Sequence, residues 1–118
     1  MISVNNGAYC KETMMSEFSN VRVSREANVY FDGNVTSRLI TFPDGSEKTL
    51  GVMLPGNYEF GTDRAEEMDI SSGKLEVLLP ETDDWQHIDG PACFKVPGKS
   101  SFQLKVHTIT NYCCSYFD

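Results

Sequence analysis

Apolar residues along this chain fall in short runs, each cut off by a turn. From Phe18 onward, "VRVSREANVYF" shows β-branched residues in partial alternation, and "DGN" supplies a hairpin-type turn. "VTSRLITF" is closed by "PDGS" and "TLGVML" by "PGN"; "YEF" resumes before the polar loop "GTDRA". Then come "EMDI", the turn "SSGK", "LEVLL" and the Pro/acid loop "PETDDWQHIDGP". "CFKV", the turn "PGKS", "SFQLKVHTI" and "NYCCSYF" complete the series. This spacing predicts roughly nine or ten short strands of a sandwich or barrel. No window holds an apolar face at helical spacing for three turns, so the expected fold class is all-β. Residues 1–17, "MISVNNGAYCKETMMSE", follow neither period and are read as an N-terminal extension to a domain spanning 18–118.

Alternation assigns faces. Glu66, Met68 and Ile70 share one side of a strand, and Glu67 and Asp69 the other. With Met68 and Ile70 facing the core, parity brings Glu66 inward and leaves Glu67 in water. "EEMDISSGKLEV" reads as a hairpin, with Gly73 at a positive-φ position and Leu75 and Val77 returning to the apolar face. A carboxylate at such a strand end lies near an open rim, where partial solvation makes its charge tolerable. Two readings of Glu66 stand: a rim acid capped by backbone N–H groups or by Arg64 or Arg38, or a functional acid. Parity also groups Tyr58 with Phe60, Phe94 with Val96, Phe102 with Leu104 and Val106, and Tyr112 with Cys114 and Tyr116. Phe94, Leu104 and Val106 read as packing. Tyr58, Phe60, Phe102 and Tyr112 are candidates for ligand contact as well as for core.

Composition narrows the chemistry. The 118 residues suffice for one modest core, and the formal charge of −7, with a pI near 4.7, leaves no basic face for a nucleic-acid backbone. A neutral nucleoside or sugar is not repelled, whereas a phosphate group needs a local cluster of donors. Cys10, Cys93, Cys113 and Cys114 lack metal-ligand spacing, and adjacent Cys113 and Cys114 point to opposite faces of a strand. With no signal peptide and no membrane span in the sequence, the expectation is a reduced chain in the cytoplasm. His87 and His107 are separated and read as surface residues rather than as a metal site. Trp85 is expected over a barrel end or a subunit seam.

The stretch from Glu66 to Gly73 also carries a resemblance. Acid, six residues, glycine is similar to the second half of the first cupin motif, and Gly51 stands where its leading glycine falls. "NYEF" replaces that motif's histidines, and in "VPGKSSF" Phe102 sits near the histidine position of the second motif. The resemblance implies a single cupin (jelly-roll) β-barrel with no metal ligands. A closer likeness lies in the ordered pieces "GVM", "G-x-Y-x-F", "EEM", "SG", "LLP", "DW", "F-x-VPG-x-S-x-F" and "Y-x-C-x-Y". Together they resemble the pyrimidine/purine nucleoside phosphorylases from about Phe18 to Tyr116; the segment before Phe18 and the longer "TFPDGSEK" loop depart from that pattern. The resemblance implies a homodimer that cleaves purine and pyrimidine nucleosides to free base and α-D-(deoxy)ribose 1-phosphate. Inorganic phosphate is the co-substrate, with no cofactor and no nucleic-acid or membrane partner. It transfers no catalytic residue, so the site is read from chemistry. Glu66 either accepts from ribose hydroxyls, stabilises the cationic sugar, or donates a proton to the leaving base. Tyr58, Phe60, Phe102 and Tyr112 are the candidate base contacts, because stacking tolerates every base. Lys99, Ser100 and Ser101 of the turn, with Arg38, are the candidate phosphate donors. The rival function is a non-catalytic cupin that binds a nucleoside or sugar.

Overall fold

The computed structural model describes the backbone of residues 4–6 and, in full, residues 16–117. Its strands are β1 (Val4–Asn6), β2 (Arg22–Val23), β3 (Asn28–Tyr30), β4 (Val35–Thr41), β5 (Glu47–Met53) and β6 (Gly56–Thr62). They continue as β7 (Ala65–Ser72), β8 (Lys74–Leu78), β9 (Gln86–Asp89), β10 (Ala92–Val96), β11 (Ser100–Val106) and β12 (Thr110–Phe117). A 3-10 turn, Phe31–Gly33, joins β3 to β4.

Two antiparallel sheets face each other in the jelly-roll manner of a cupin. The larger runs β1-β10-β7-β12-β5-β4-β2, with β3 also on β4, and the smaller runs β6-β11-β8-β9. The apolar positions assigned by alternation meet between them: Met53, Met68, Ile70 and Phe94 from the larger sheet, Leu75, Val77, Phe102 and Leu104 from the smaller. Burying each such side chain is worth about 1.5–3 kcal/mol, which fixes the register, since a one-residue slip would turn every one of them outward.

The structure departs from the sequence reading at several points. The stretch around Gly73 is no hairpin. β7 pairs with β10 and β12, β8 pairs with β11 and β9, and Gly73 carries the chain from one sheet to the other. Its φ is +126°, as the turn demanded, and a Cβ there would collide with Thr110. The acidic loop contains β9, whose buried apolar residue is Ile88. Too little alternation surrounds that residue for a strand signal. Val4–Asn6, within the expected extension, add a strand to β10; residues 7–15 lie outside the described residues. The face opposite Met68 is not wholly wet either. Asp69 is buried, in register with Cys93 and Cys113, which are buried too. Cys93 is disulfide-bonded, whereas Cys113 and Cys114 are free, which corrects the expectation of a fully reduced chain.

Candidate active site

Glu66 enters at the start of β7, flanked in register by Val96 of β10 and Tyr116 of β12. Strand parity turns its half-buried carboxyl between the sheets, into a cavity of about 160 Å³. β12 contributes Tyr112, Cys114 and Tyr116 to the lining, β6 contributes Phe60 and β11 contributes Phe102. The Phe60 and Phe102 rings stack, with centroids 5.7 Å apart. Phe60 belongs to the "NYEF" stretch that replaces the histidines of the first motif in the cupin resemblance, and Phe102 lies near the histidine position of the second. Among the described residues no group of three or more His, Cys, Asp or Glu side chains is arranged to hold a metal ion.

Gly51 shapes this wall from β5. It lies in register with Tyr112, and a Cβ at this position would meet the Thr36 carbonyl oxygen and stand 2.7 Å from the tyrosine ring and hydroxyl. The missing side chain lets Tyr112 lie flat across the strand and donate to the Thr36 carbonyl at 3.3 Å. Tyr116 shares a hydrogen bond of 3.0 Å with the Thr49 hydroxyl.

The electrostatics centre on one acid. Burial pushes the Glu66 carboxyl above the ordinary glutamate range, opposed in part by the Cys114 thiol, whose Sγ donates to Oε1 at 3.4 Å. Burial raises Cys114 first, and the Glu66 charge raises it further. Tyr112 and Tyr116 are raised chiefly by burial too. All three therefore keep their protons at neutral pH, and the carboxylate sits among neutral S–H and O–H groups.

A second, more open hollow of about 280 Å³ adjoins the cavity, and Thr49, Glu66 and Tyr116 border both. Arg64, Asp63 and Glu47 line its outer side, with the Arg64 guanidinium 5.8 Å from the Tyr116 ring centroid.

The sequence-predicted residues thus divide. Glu66, Phe60, Phe102 and Tyr112 come together around one cavity. Tyr58 does not join them: its ring packs against Phe31 at 5.0 Å and its hydroxyl donates to the Leu54 carbonyl at 2.6 Å. Arg38 alternates with Ser37 and Leu39, which face inward, so its guanidinium lies exposed on the outer side and donates to the Arg25 carbonyl. The Ser100 N–H donates to Thr62 Oγ1 at 3.0 Å, Ser101 borders a separate shallow hollow beside Pro80 and Glu81, and Lys99 is exposed. None of these five lines the Glu66 cavity. Trp85 lies outside the smaller sheet, with Lys105 Nζ 4.1 Å from its ring centroid, and both histidines are exposed. Sequence reasoning did not single out Tyr30, Ser37, Thr49, Cys114 and Tyr116 as site residues, and all of them line the cavity. Parity already grouped Cys114 and Tyr116 with Tyr112. Ser37, Thr49 and Tyr30 come from strands whose sequence gave no hint of a shared cavity.

Comparison with known proteins bears on what this protein does. A family model described as pyrimidine/purine nucleoside phosphorylase matches residues 25–116. A Geotalea uraniireducens protein of that name is 60% identical over 104 residues, which is 88% of this chain and 100% of its own length. A Sulfurovum sp. protein of the same name is 60% identical over 102 residues, 86% of this chain and 99% of its own. Among solved structures, an Acinetobacter sp. ADP1 protein of unknown function matches with a TM-score of 0.85 and 33% identity, covering 87% of this chain and 100% of that one. A cupin domain from Schizosaccharomyces pombe, at a TM-score of 0.57 and 15% identity over 80% of this chain and 70% of its own, shares the fold alone.

Proposed function

The chain belongs to the pyrimidine/purine nucleoside phosphorylase family, and on that premise we propose that the Glu66 cavity is where a nucleoside is split by phosphate. The protein is a nucleoside phosphorylase. In its reaction a phosphate oxygen bonds to C1′ as the C1′–N bond breaks, giving free base and α-D-(deoxy)ribose 1-phosphate. The bonding pair leaves with the base, and the proton carried by the attacking phosphate balances the released base.

The observation that carries the site is the position of Glu66 on the border between the cavity and the more open hollow. C1′ must sit at such a border, with the base on one side and phosphate on the other. The cavity, at about 160 Å³, is smaller than the roughly 300 Å³ at which drug-sized sites begin. It suits the base, and the ribose and the phosphate occupy the hollow. Glu66 accepts hydrogen bonds from the ribose hydroxyls and stabilises the positive charge that develops on C1′ and the ring oxygen. That role serves every base. Phe60, Phe102 and Tyr112 supply apolar surface with few fixed polar demands, as a permissive base site requires.

Phosphate approaches from the end where two turns meet. A Cβ on Gly98 would stand 3.1–3.3 Å from the backbone of Asp63, Arg64 and Ala65, so the Pro97–Lys99 turn packs directly on the turn bearing Arg64. Arg64 lines the hollow and offsets the Glu47 and Asp63 carboxylates there, and Lys99 belongs to the turn packed against it. The reaction needs no metal in this scheme, and the working form is a homodimer.

Incubation with uridine, inosine and adenosine, with and without phosphate, tests the whole reading, and adding a chelator tests metal independence. Base release that requires phosphate and survives chelation is expected. Saturable nucleoside binding without release would instead identify a binding protein.

A further inference from the structure

We infer that Tyr30 determines how the enzyme grips its base, acting as the outer stacking wall of the cavity. The inference rests on the phosphorylase reading of that cavity. Tyr30 is the last residue of β3 and lines the cavity, yet it is 45% exposed. Its ring meets Phe60 edge-to-face, with centroids 6.5 Å apart and planes 80° apart. Phe60 and Phe102 form the inner side of the cavity and spend ring surface on each other. The Tyr30 ring stands on the solvent side, where a base entering the cavity passes.

The segment behind Tyr30 is built to hold it there. Phe31 and Asp32 both adopt left-handed backbone, with φ of 52° and 56°, although neither is glycine. Two adjacent residues in that region persist only where their surroundings determine them. Here the Phe31 ring packs 5.0 Å from Tyr58 and 5.4 Å from Phe60, centroid to centroid. The Asn34 backbone N–H and side-chain Nδ2 both donate to the Phe31 carbonyl, at 3.0 and 2.9 Å, and the Leu54 N–H donates to the Asn34 carbonyl at 2.8 Å. The strap between β3 and β4 is thus pinned to the smaller sheet and to the end of β5, and Tyr30 is fixed at the mouth.

An aromatic face at this position explains tolerance of both base classes. Every base presents a π-face, so stacking tolerates any base, whereas a buried hydrogen-bonding group would reject those that cannot answer it. Stacking also scales with overlap, and a purine covers more of a tyrosine ring than a pyrimidine does.

Steady-state kinetics on inosine and uridine at saturating phosphate test the inference. Tyr30→Ala is expected to raise the KM for inosine about tenfold or more. The rise for uridine should be smaller, with the KM for phosphate unchanged. Tyr30→Phe should stay near wild type and Tyr30→Leu should follow alanine, which separates a ring face from mere bulk. Unchanged nucleoside KM in Tyr30→Ala, an equal rise for both substrates, or leucine matching wild type would each overturn the role of Tyr30. Wild-type protein that releases no base with phosphate would instead overturn the reading beneath it.

Discussion

Glu66 is a residue whose position costs stability and, in the proposed reaction, supplies chemistry. Burial raises its carboxyl above the ordinary glutamate value in the folded state. The native state therefore gains stability as pH falls below that raised value and loses it as pH rises through it. Glu66→Gln removes the buried charge, so the variant should melt above wild type at pH 7, with the gap closing on acidification. The same change should lower kcat/KM by about 10- to 100-fold, the loss expected for one hydrogen bond to a charged group. Wild-type activity should fall on the acid side as the carboxylate takes up its proton, at a pH above that of an ordinary glutamate. Full activity in Glu66→Gln would remove this side chain from the reaction. Thermal melts across pH, set beside pH–rate profiles, check both halves. The inward orientation of Glu66 was legible from sequence because parity is a local property of a strand. That Cys114 would donate to it was not, since 48 residues separate the two.

At the scale of elements, β5 and β12 show how one missing side chain sets the geometry of a site. Gly51→Ala forces a methyl group against the Thr36 carbonyl and the Tyr112 ring, one of which is backbone of a paired strand. The expected outcome is destabilisation of about 1–3 kcal/mol, as for other overpacked positions, together with reduced activity as Tyr112 is displaced. Urea unfolding measures the first and turnover the second; an unaltered midpoint would contradict the close approach. The two packed turns at Gly98 carry a separate prediction. Arg64→Ala and Lys99→Ala should each raise the KM for phosphate severalfold while leaving that for nucleoside unchanged, and phosphate titrations at fixed uridine decide it. The sequence reading paired the Lys99 turn with Arg38, which alternation itself places beside inward-facing Ser37 and Leu39 on the opposite side of β4. The hairpin expected at Gly73 failed for a related reason. A glycine turn between two alternating runs marks where the chain bends, and the bend within a sheet looks the same in sequence as the bend between sheets.

At the scale of the whole molecule, the proposed homodimer predicts a solution mass of twice the 13.2 kDa chain, measurable by light scattering on an eluting peak. A monomeric mass at assay concentrations would dissociate the activity from dimerisation. The all-β class, the inward acid and the aromatic character of the interior were determined by sequence alone, because strand period, turn residues and polarity act between neighbours. The larger whole was decided only by tertiary structure. Strands distant along the chain brought Ser37, Thr49, Phe60, Phe102 and Tyr116 around Glu66 and left Tyr58 and Arg38 outside. Hydrogen-bonded ladders can join any two strands of compatible pattern, so the choice of partner is made by how the two apolar faces close over a common core, and that choice is written in no single stretch of the chain.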